Sequence, residues 1–242
     1  MERKLAQTRT RAQERIRDGQ VTVDGEVVRK TGSLVHADQR IELHGEELPF
    51  VSRGGLKLAA ALDHWKIDLT GRHCLDIGIS TGGFTDCMLQ RGALGVVGID
   101  SGHGQLAAQL RNDPRVQLLE RTNARYLSSS LLPECISFLA MDVSFIAASL
   151  VLPAVIAAAF RPTGQHAPMP AREAVVLVKP QYEAGREFVG KHGLVRSDAA
   201  HQLAIQRVRE TVCSHGARAT QVIESPIAGG EGNREFLLYA QF

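Results

Sequence analysis

The segment spanning residues 75–86 contains the residue types and spacing that most clearly suggest chemistry. An apolar run ends in Asp76, and Gly78, Gly82 and Gly83 follow before a predicted helix begins. A glycine turn after a strand lets the backbone approach a ligand closely, and free amides at a helix N-terminus favour electron-rich groups. The segment therefore predicts a nucleotide-binding loop, with an ordinary tight turn between strand and helix as the alternative.

The glycine spacing distinguishes this loop from two common nucleotide-binding patterns. It lacks the Gly-x-Gly-x-x-Gly of dinucleotide sites and the Gly-Lys-Ser/Thr ending of phosphate loops. What remains, Asp-x-Gly-x-x-x-Gly-Gly, is typical of S-adenosylmethionine (SAM) sites, where the carboxylate can meet the cationic amino-acid part of the ligand. The cofactor contacts predicted within the loop are Asp76, Gly78, Ser80, Thr81, Gly82, Gly83, Phe84 and Thr85.

Polar residues also end three later predicted strands. Asp100 follows the glycine loop at about the distance expected of a carboxylate that accepts hydrogen bonds from both ribose hydroxyls of an adenosine-containing cofactor. A helix N-cap is the alternative role for this aspartate. Asp142 and Lys179 end two further strands. Because ligands bind outside the carboxyl ends of the strands in an open α/β sheet, we expect these side chains to share one cleft.

The residues around Asp142 and Lys179 narrow the substrate class. Residues 141–145 contain neither the Pro-Pro-Tyr/Phe segment of amino-methylating DNA enzymes nor the Pro-Cys of cytosine C5 enzymes. A lysine carried into a cleft by an apolar strand is uncommon, since buried amines are costly unless paired. An alcohol must lose its proton as it attacks a sulfonium methyl group, and a lysine can accept that proton. The pair therefore favours a hydroxyl substrate.

From residue 71 onward the chain alternates strand and helix, which predicts a Rossmann-like α/β fold with a mostly parallel sheet and an antiparallel last strand. The predicted strands cover residues 74–78, 96–100, 116–119, 138–143, 175–178, 219–224 and 236–242. The predicted helices cover residues 83–91, 104–111, 147–160 and 198–215.

The first 46 residues predict a separate small α+β unit. A short arginine-rich helix stops at Gly19, and the dipeptide Asp24-Gly25 suits the type I′ turn of a hairpin that precedes a third strand near residues 40–43. The unit is too small to be a catalyst. Its basic helix and hairpin suggest nucleic-acid binding, although the arginines could also form an ordinary solvated helix face.

Composition excludes several classes of protein. The chain has 242 residues, a formal charge of +2 and 44% hydrophobic residues, enough for a proper core. Its four cysteines show no Cys-x-x-Cys spacing, which favours buried thiols in a reducing cytosol and predicts no metal site. The longest apolar run, residues 147–160, is too short to span a membrane. We therefore expect a cytoplasmic protein.

Several motifs in the right order resemble the TlyA, or haemolysin A, family of ribosomal RNA ribose 2′-O-methyltransferases. They cover residues 51–58, 75–86, 102–106, 120–123, 141–145, 178–185 and 232–237, and the resemblance extends over nearly the whole chain. It implies that residues 1–46 are an RNA-binding domain of the ribosomal protein S4 type with a short or missing first helix. Residues 47–56 would be a linker, and residues 57–242 an FtsJ-like SAM-dependent methyltransferase domain.

The resemblance also implies roles for single residues. The family's catalytic Lys-Asp-Lys-Glu set matches Lys57, Asp142, Lys179 and Glu235. Lys179 would be the general base, or would lower the pKa of the 2′-hydroxyl, while Asp142 and Glu235 fix its position and Lys57 orients the ribose and a neighbouring phosphate. An ordinary surface ion-pair network is the alternative. Further implied cofactor contacts are Ser101, Asn123 and Asp142, and implied RNA contacts are Arg9, Arg11, Arg15, Lys30, Arg53 and Lys57.

Other functions remain open at this level. We expect a monomer whose partner is ribosomal RNA or a ribosomal subunit, without a membrane or a metal. The chain departs from the family pattern where residues 100–105 read Asp-Ser-Gly-His-Gly-Gln, although the acidic residue is kept. A non-catalytic RNA-binding or ribosome-assembly factor is one alternative. A haemolysin-like membrane-active protein is another, but no secretion signal or amphipathic membrane helix is expected.

Overall fold

The computed structural model describes residues 3, 5–6, 9–17, 19–45, 48–161, 171–229 and 232–242. The chain forms two compact units, Met1–Ser52 and Arg53–Phe242. The first helix of the larger unit begins at Gly54, inside the segment that the sequence assigned to a linker. No helix among the described residues is long and apolar enough to cross a membrane.

The smaller unit is a helix followed by a three-stranded antiparallel sheet. Its elements are α1 (Arg9–Arg17), β1 (Val21–Val23), β2 (Glu26–Val27) and β3 (Ile41–Leu43), with strand order β2-β1-β3. Asp24 and Gly25 have φ values of 51° and 87°. A type I′ turn requires positive φ at both central positions, so the predicted hairpin is confirmed.

The larger unit alternates helices and strands around one seven-stranded sheet. Its strands are β4 (His73–Ile77), β5 (Gly95–Ile99), β6 (Val116–Leu119), β7 (Ile136–Met141), β8 (Glu173–Val178), β9 (Ala219–Glu224) and β10 (Phe236–Gln241). Its helices are α2 (Gly54–Trp65), α3 (Gly83–Gln90), α4 (Ala108–Arg111), α5 (Ala148–Ala159), α6 (Pro180–Glu183) and α7 (Asp198–Ser214).

The sheet has the strand order β6-β5-β4-β7-β8-β10-β9. Neighbouring strands from β6 to β8 are parallel, and β10 is antiparallel to both β8 and β9. This confirms the predicted α/β architecture with an antiparallel last strand, and the predicted strand boundaries agree with the structure to within two residues.

Three helices differ from the sequence predictions, and one of them, the short helix α6, was not predicted. The helix predicted over residues 104–111 is reduced to Ala108–Arg111. Gly104 has a φ of 70°, and its N–H donates to a Glu120 carboxylate oxygen at 2.7 Å. These features hold residues 104–107, which precede the helix, in a loop. Helix α2 was not predicted, because its Gly54-Gly55 start gives no capping signal, although Leu58, Ala61 and Leu62 form a buried stripe at helical spacing.

The core lies on both faces of the sheet. Helices α5 and α7 pack on one face, over a cluster that includes Leu75, Met141 and Val176, while α2 and α3 pack on the other. All residues of the adjacent strands β7 and β8 are buried. Because α2 runs back toward the start of β4, its N-terminal turn lies at the carboxyl edge of the sheet, where ligands bind in such folds.

Just beyond the paired residues of β4 and β7, the backbone of Gly78 lies close to the backbone of Asp142. Its φ is 87°, and a Cβ atom built there would lie 2.2 Å from the backbone oxygen of Asp142. The Asp142 N–H in turn donates to the Ile77 oxygen at 2.9 Å. Only glycine satisfies both the conformation and the spacing.

We expect Gly78→Ala to destabilise the protein by about 1–3 kcal/mol more than Gly71→Ala. Gly71 is the matched control, because it also has a positive φ, 70°, but has open space where a Cβ would lie. It should therefore show only the conformational cost of about 1 kcal/mol. Urea unfolding measures both, and equal destabilisation by the two variants would refute the proposed clash with Asp142.

Candidate functional site

A cleft of about 530 Å³ opens at the carboxyl edge of the sheet, where β4 lies between β5 and β7. The strand order reverses at this point, which is the usual ligand position in doubly wound folds. Six predicted cofactor residues line the cleft: Gly78, Ser80, Asp100, Ser101, Asn123 and Asp142. The other predicted loop residues, Asp76, Thr81, Gly82, Gly83, Phe84 and Thr85, do not line it.

Asp100 fixes the loops on both sides of the cleft. Its two carboxylate oxygens accept hydrogen bonds from the backbone N–H groups of Ser80, at 2.9 Å, and Gly102, at 2.7 Å. Each oxygen retains a second lone pair, so the carboxylate can still accept from a ligand hydroxyl. The structure thus gives Asp100 a loop-organising role beside the predicted ribose contact.

Sequence reasoning missed several residues that line the cleft. Gln105 extends to the glycine loop, where its side-chain oxygen accepts from the Ser80 hydroxyl at 3.1 Å. Asn123 was predicted as a contact. Its side-chain oxygen accepts from the Arg125 N–H at 3.0 Å, and its amide NH2 has no hydrogen-bond partner among the described residues. The sequence did contain a signal for Gln105, because it lies in the motif of residues 102–106, which resembles the family pattern. Other unpredicted lining residues include Gly102, Thr122, Val143, Ser144, Phe145 and Ile146.

Lys179 lies at the edge of this cleft and is held by one ion pair and one hydrogen bond. Its ammonium Nζ is 2.6 Å from Asp142 Oδ1 and donates a hydrogen bond to the Ser144 hydroxyl at 2.8 Å. Pro180 begins α6 immediately after the lysine, so β8 ends there. The side chains of the pair remain 12% and 23% exposed, respectively, which leaves them accessible to a substrate.

The predicted partner of Lys179 on β10 has a different contact. Glu235 Oε2 accepts from Lys57 Nζ at 2.5 Å, and the two side chains are 3% and 9% exposed. The resemblance implied that Glu235 holds Lys179 in position. In the structure Glu235 instead pairs with Lys57, which α2 brings to the start of β10. Lys57 likewise does not present its ammonium to solvent, as an RNA contact would require.

The two ion pairs nevertheless share one edge of the sheet. In the β8–β10 ladder Phe236 lies opposite Val178, so Glu235 and Lys179 occupy the next pair of positions in the same register. Asp142 follows the carboxyl end of β7, the other neighbour of β8. The structure thus brings all four predicted catalytic residues to the carboxyl edge, as two lysine–carboxylate pairs.

An exposed aromatic side chain stands beside the more open pair. Phe145 lines the cleft, is 92% exposed and has a φ of 65°, a conformation that non-glycine residues adopt rarely. Its ring centroid lies 5.9 Å from that of Tyr182, on α6. A phenyl ring held in this way is available for stacking on a planar ligand.

Comparison with known proteins decides the family. The family model described as FtsJ-like methyltransferase matches residues 50–242. The chain belongs to this family. A second family model, the S4 domain, matches residues 2–41.

Three relatives extend the comparison over the chain. The 16S/23S rRNA (cytidine-2′-O)-methyltransferase TlyA of Mycobacterium tuberculosis is 40% identical over 238 residues, which are 98% of this chain and 85% of that protein. Hemolysin A of Brachyspira hyodysenteriae is 35% identical, with 96% of this chain and 93% of that protein covered. A solved structure named "Putative hemolysin from Streptococcus thermophilus" is 38% identical with a TM-score of 0.75, covering 98% of this chain and 84% of that one.

Within the FtsJ-like unit, Asp76 is buried and not on the cleft surface that the sequence predicted. Its Oδ2 accepts a hydrogen bond from the Thr85 hydroxyl at 2.6 Å, while Oδ1 has no hydrogen-bond partner among the described residues. Burial raises the pKa of this carboxyl to about 7, and the Asp142 and Asp100 carboxylates add to the rise. The carboxyl is thus largely neutral at pH 6.

The predicted RNA contacts of the S4 unit have different surroundings. The Arg15 guanidinium donates to the backbone oxygens of His44 and Gly45, so it holds the unit together in place of the expected free phosphate contact. Lys30 is exposed. The side chains of Arg9 and Arg11 lie outside the described part of the structure. Arg53 directly precedes α2 in the FtsJ-like unit.

We expect Asp76→Asn to stabilise the ligand-free protein near pH 8 but not near pH 4. The folded-state pKa of about 7 lies above the ordinary aspartate value of 3.8, so ionising wild-type Asp76 costs stability as the pH rises between these values. The relative gain of the variant should reach the order of 1–3 kcal/mol above pH 7.

Urea unfolding across this pH range measures the effect. Asp113→Asn is the control of opposite sign, because the hydrogen bonds from Arg115 lower the pKa of the Asp113 carboxyl, so its stabilisation is lost as the pH falls. A difference between wild type and Asp76→Asn that did not change with pH would contradict the role of burial at Asp76.

Proposed function

We propose that the protein transfers a methyl group from SAM to a ribose 2′-hydroxyl of ribosomal RNA. The Lys179–Asp142 pair carries the proposal, because it stands at the mouth of a ligand-sized cleft beside an exposed aromatic ring. The FtsJ-like methyltransferase match supports the reaction class, and the name of the tuberculosis TlyA relative supports the 2′-O position on ribosomal RNA.

The residues of the cleft fit SAM. Asp100 keeps free lone pairs for ribose hydroxyls, and the free amide NH2 of Asn123 can donate to a purine ring nitrogen. A Cβ atom could not be accommodated at Gly78, and the glycine therefore leaves this part of the cleft without a side chain. When bound, SAM supplies an electrophilic methyl group on its sulfonium sulfur.

Lys179 acts on the hydroxyl that attacks this methyl group. One of its three N–H donors is directed to Ser144, and Asp142 forms an ion pair with the ammonium, so an N–H donor remains for the 2′-oxygen. A positive charge at that position would stabilise the developing negative oxygen and lower the pKa of the hydroxyl. The proton would pass to solvent water as the carbon–oxygen bond forms and the bond between the methyl carbon and the sulfonium sulfur breaks. Asp142 and Ser144 hold the ammonium in place, and the Lys57–Glu235 pair lies at the same edge of the sheet.

The edge that carries Lys179 also offers a contact for the target base. The exposed ring of Phe145 is positioned to stack on the target base while the ribose lies against Lys179. The S4 domain supplies sequence-independent RNA affinity, with Lys30 as an exposed cation for phosphate. A ribosomal substrate puts the reaction in the cytoplasm.

Lys179→Ala should lower the single-turnover rate of methyl transfer by about 10²- to 10⁴-fold. SAM affinity should be nearly unchanged, because the lysine acts on the hydroxyl and not on the cofactor. Lys179→Arg should not restore the rate, since the planar guanidinium occupies different space.

The assay uses ribosomal subunits, with the product located by its resistance to alkaline cleavage. Lys66→Ala is the control, because Lys66 is an exposed lysine that follows α2 at the opposite edge of the sheet. A Lys179→Ala protein as fast as wild type would remove Lys179 from the mechanism.

Phe145→Ala should raise the KM for RNA by about 5- to 100-fold, the effect expected when one base–aromatic stack is removed. Phe145→Tyr should keep most of the affinity because it keeps the ring. Leu94→Ala removes an exposed apolar side chain that precedes β5 at the far edge of the sheet and serves as the control. If Phe145→Ala and Leu94→Ala behaved alike, the stacking role would be excluded.

A further inference from the structure

The loop of residues 185–197, between α6 and α7, presents a concentration of unpaired positive charge. Arg186, Lys191 and Arg196 are all exposed, and none has a carboxylate partner among the described residues. The loop contains a single acidic residue, Glu187. Elsewhere in the same unit many cations are neutralised, as Arg91, Arg111 and Arg234 are by ion pairs.

The loop is held rigidly by one buried side chain. Asn233 is 1% exposed; its side-chain oxygen accepts from the Val195 N–H at 2.9 Å, and its NH2 donates to the Gly193 oxygen at 2.9 Å. Asn233 lies two residues before Glu235 and close to the start of β10. The hydrogen bonds of Asn233 therefore fix the loop beside Glu235 and the start of β10.

The tip of the loop is a closed turn. The Gly190 N–H donates to the Leu194 oxygen at 2.9 Å, and between them His192 has a φ of 61°. A non-glycine residue in this left-handed conformation is held there by its surroundings. The turn thus presents Lys191 and His192 to solvent in a fixed conformation.

Topology places the loop at the same edge as the proposed reaction. It begins six residues after Lys179, beyond the carboxyl end of β8, and ends where α7 starts back toward the opposite edge. Arg234, which directly follows Asn233, pairs with both Asp198 on α7 and Glu224 at the end of β9, so these elements meet at one edge.

We propose that the loop of residues 185–197 is a phosphate-binding surface, in which Arg186, Lys191 and Arg196 contact the backbone of the RNA that flanks the methylated nucleotide. This inference rests on the proposed function. It adds a second RNA-binding surface, on the catalytic unit itself, that is independent of the S4 domain. Cations fixed at the same edge as Lys179 would hold the flanking strand while the target ribose enters the cleft.

The test compares two double variants with the same change of charge. Lys191→Gln/Arg196→Gln removes one lysine and one arginine from the loop, and Lys66→Gln/Arg218→Gln removes one of each from the opposite edge, where Lys66 follows α2 and Arg218 precedes β9. Because phosphate contacts are independent of sequence, the full-length protein can be titrated with a structured RNA hairpin over a range of salt concentrations.

The loop variant should bind the hairpin more weakly, and the slope of log affinity against log salt should flatten by about two units, one for each cation that no longer binds a phosphate. The control variant should match wild type in both, and thermal unfolding should show that both variants fold. A loop variant that matches the control in affinity and salt slope would overturn the proposal.

Binding and methylation separate this proposal from the proposed function. If wild type binds RNA with a slope that depends on Lys191 and Arg196 but methylates no ribosomal RNA, the surface stands and the proposed function fails. If wild type methylates ribosomal RNA and the loop variant binds like the control, the surface is wrong and the proposed function stands.

Discussion

The close backbone approach between Gly78 and Asp142 is the constraint that organises the FtsJ-like unit. The Asp142 N–H donates to the Ile77 oxygen, and the Gly78 N–H donates to the Ile99 oxygen, so β4, β5 and β7 are joined where the strand order reverses. β4 leads into the cofactor loop and β7 into the partner of Lys179. The proposed methyl donor and acceptor sites therefore share one rigid backbone junction, which in-line transfer requires.

The two lysine–carboxylate pairs have different environments and different consequences. Removing charges from water offsets most of the attraction in a buried pair, whereas breaking such a pair leaves an uncompensated buried charge. The buried Lys57–Glu235 contact therefore fixes the start of α2 against the start of β10 more than it adds net stability. The Lys179–Asp142 pair is more open, so its ammonium remains available to a substrate oxygen.

Local patterns in the sequence predicted the structural features that depend on residues close together in the chain. Apolar runs located the strands, the glycine spacing located the turn between β4 and α3, and Asp24-Gly25 located the hairpin turn. Long-range contacts were beyond such patterns. Glu235 pairs with a lysine 178 positions away, and a loop hydrogen bond shortened the predicted helix at Gly104. Asp76 is buried because α3 packs over β4. The rule that polar residues at strand ends face the ligand does not take this packing into account.

The atom that receives the methyl group distinguishes ribose chemistry from every other methyl transfer. Ribosomal subunits from a strain without the gene can be incubated with the purified protein and SAM carrying an isotope-labelled methyl group, then digested to nucleosides for mass spectrometry. We expect label in a 2′-O-methylnucleoside, because the role proposed for Lys179 is to act on a ribose hydroxyl. Label confined to base-methylated nucleosides, or no label in any nucleoside, would contradict the proposed function.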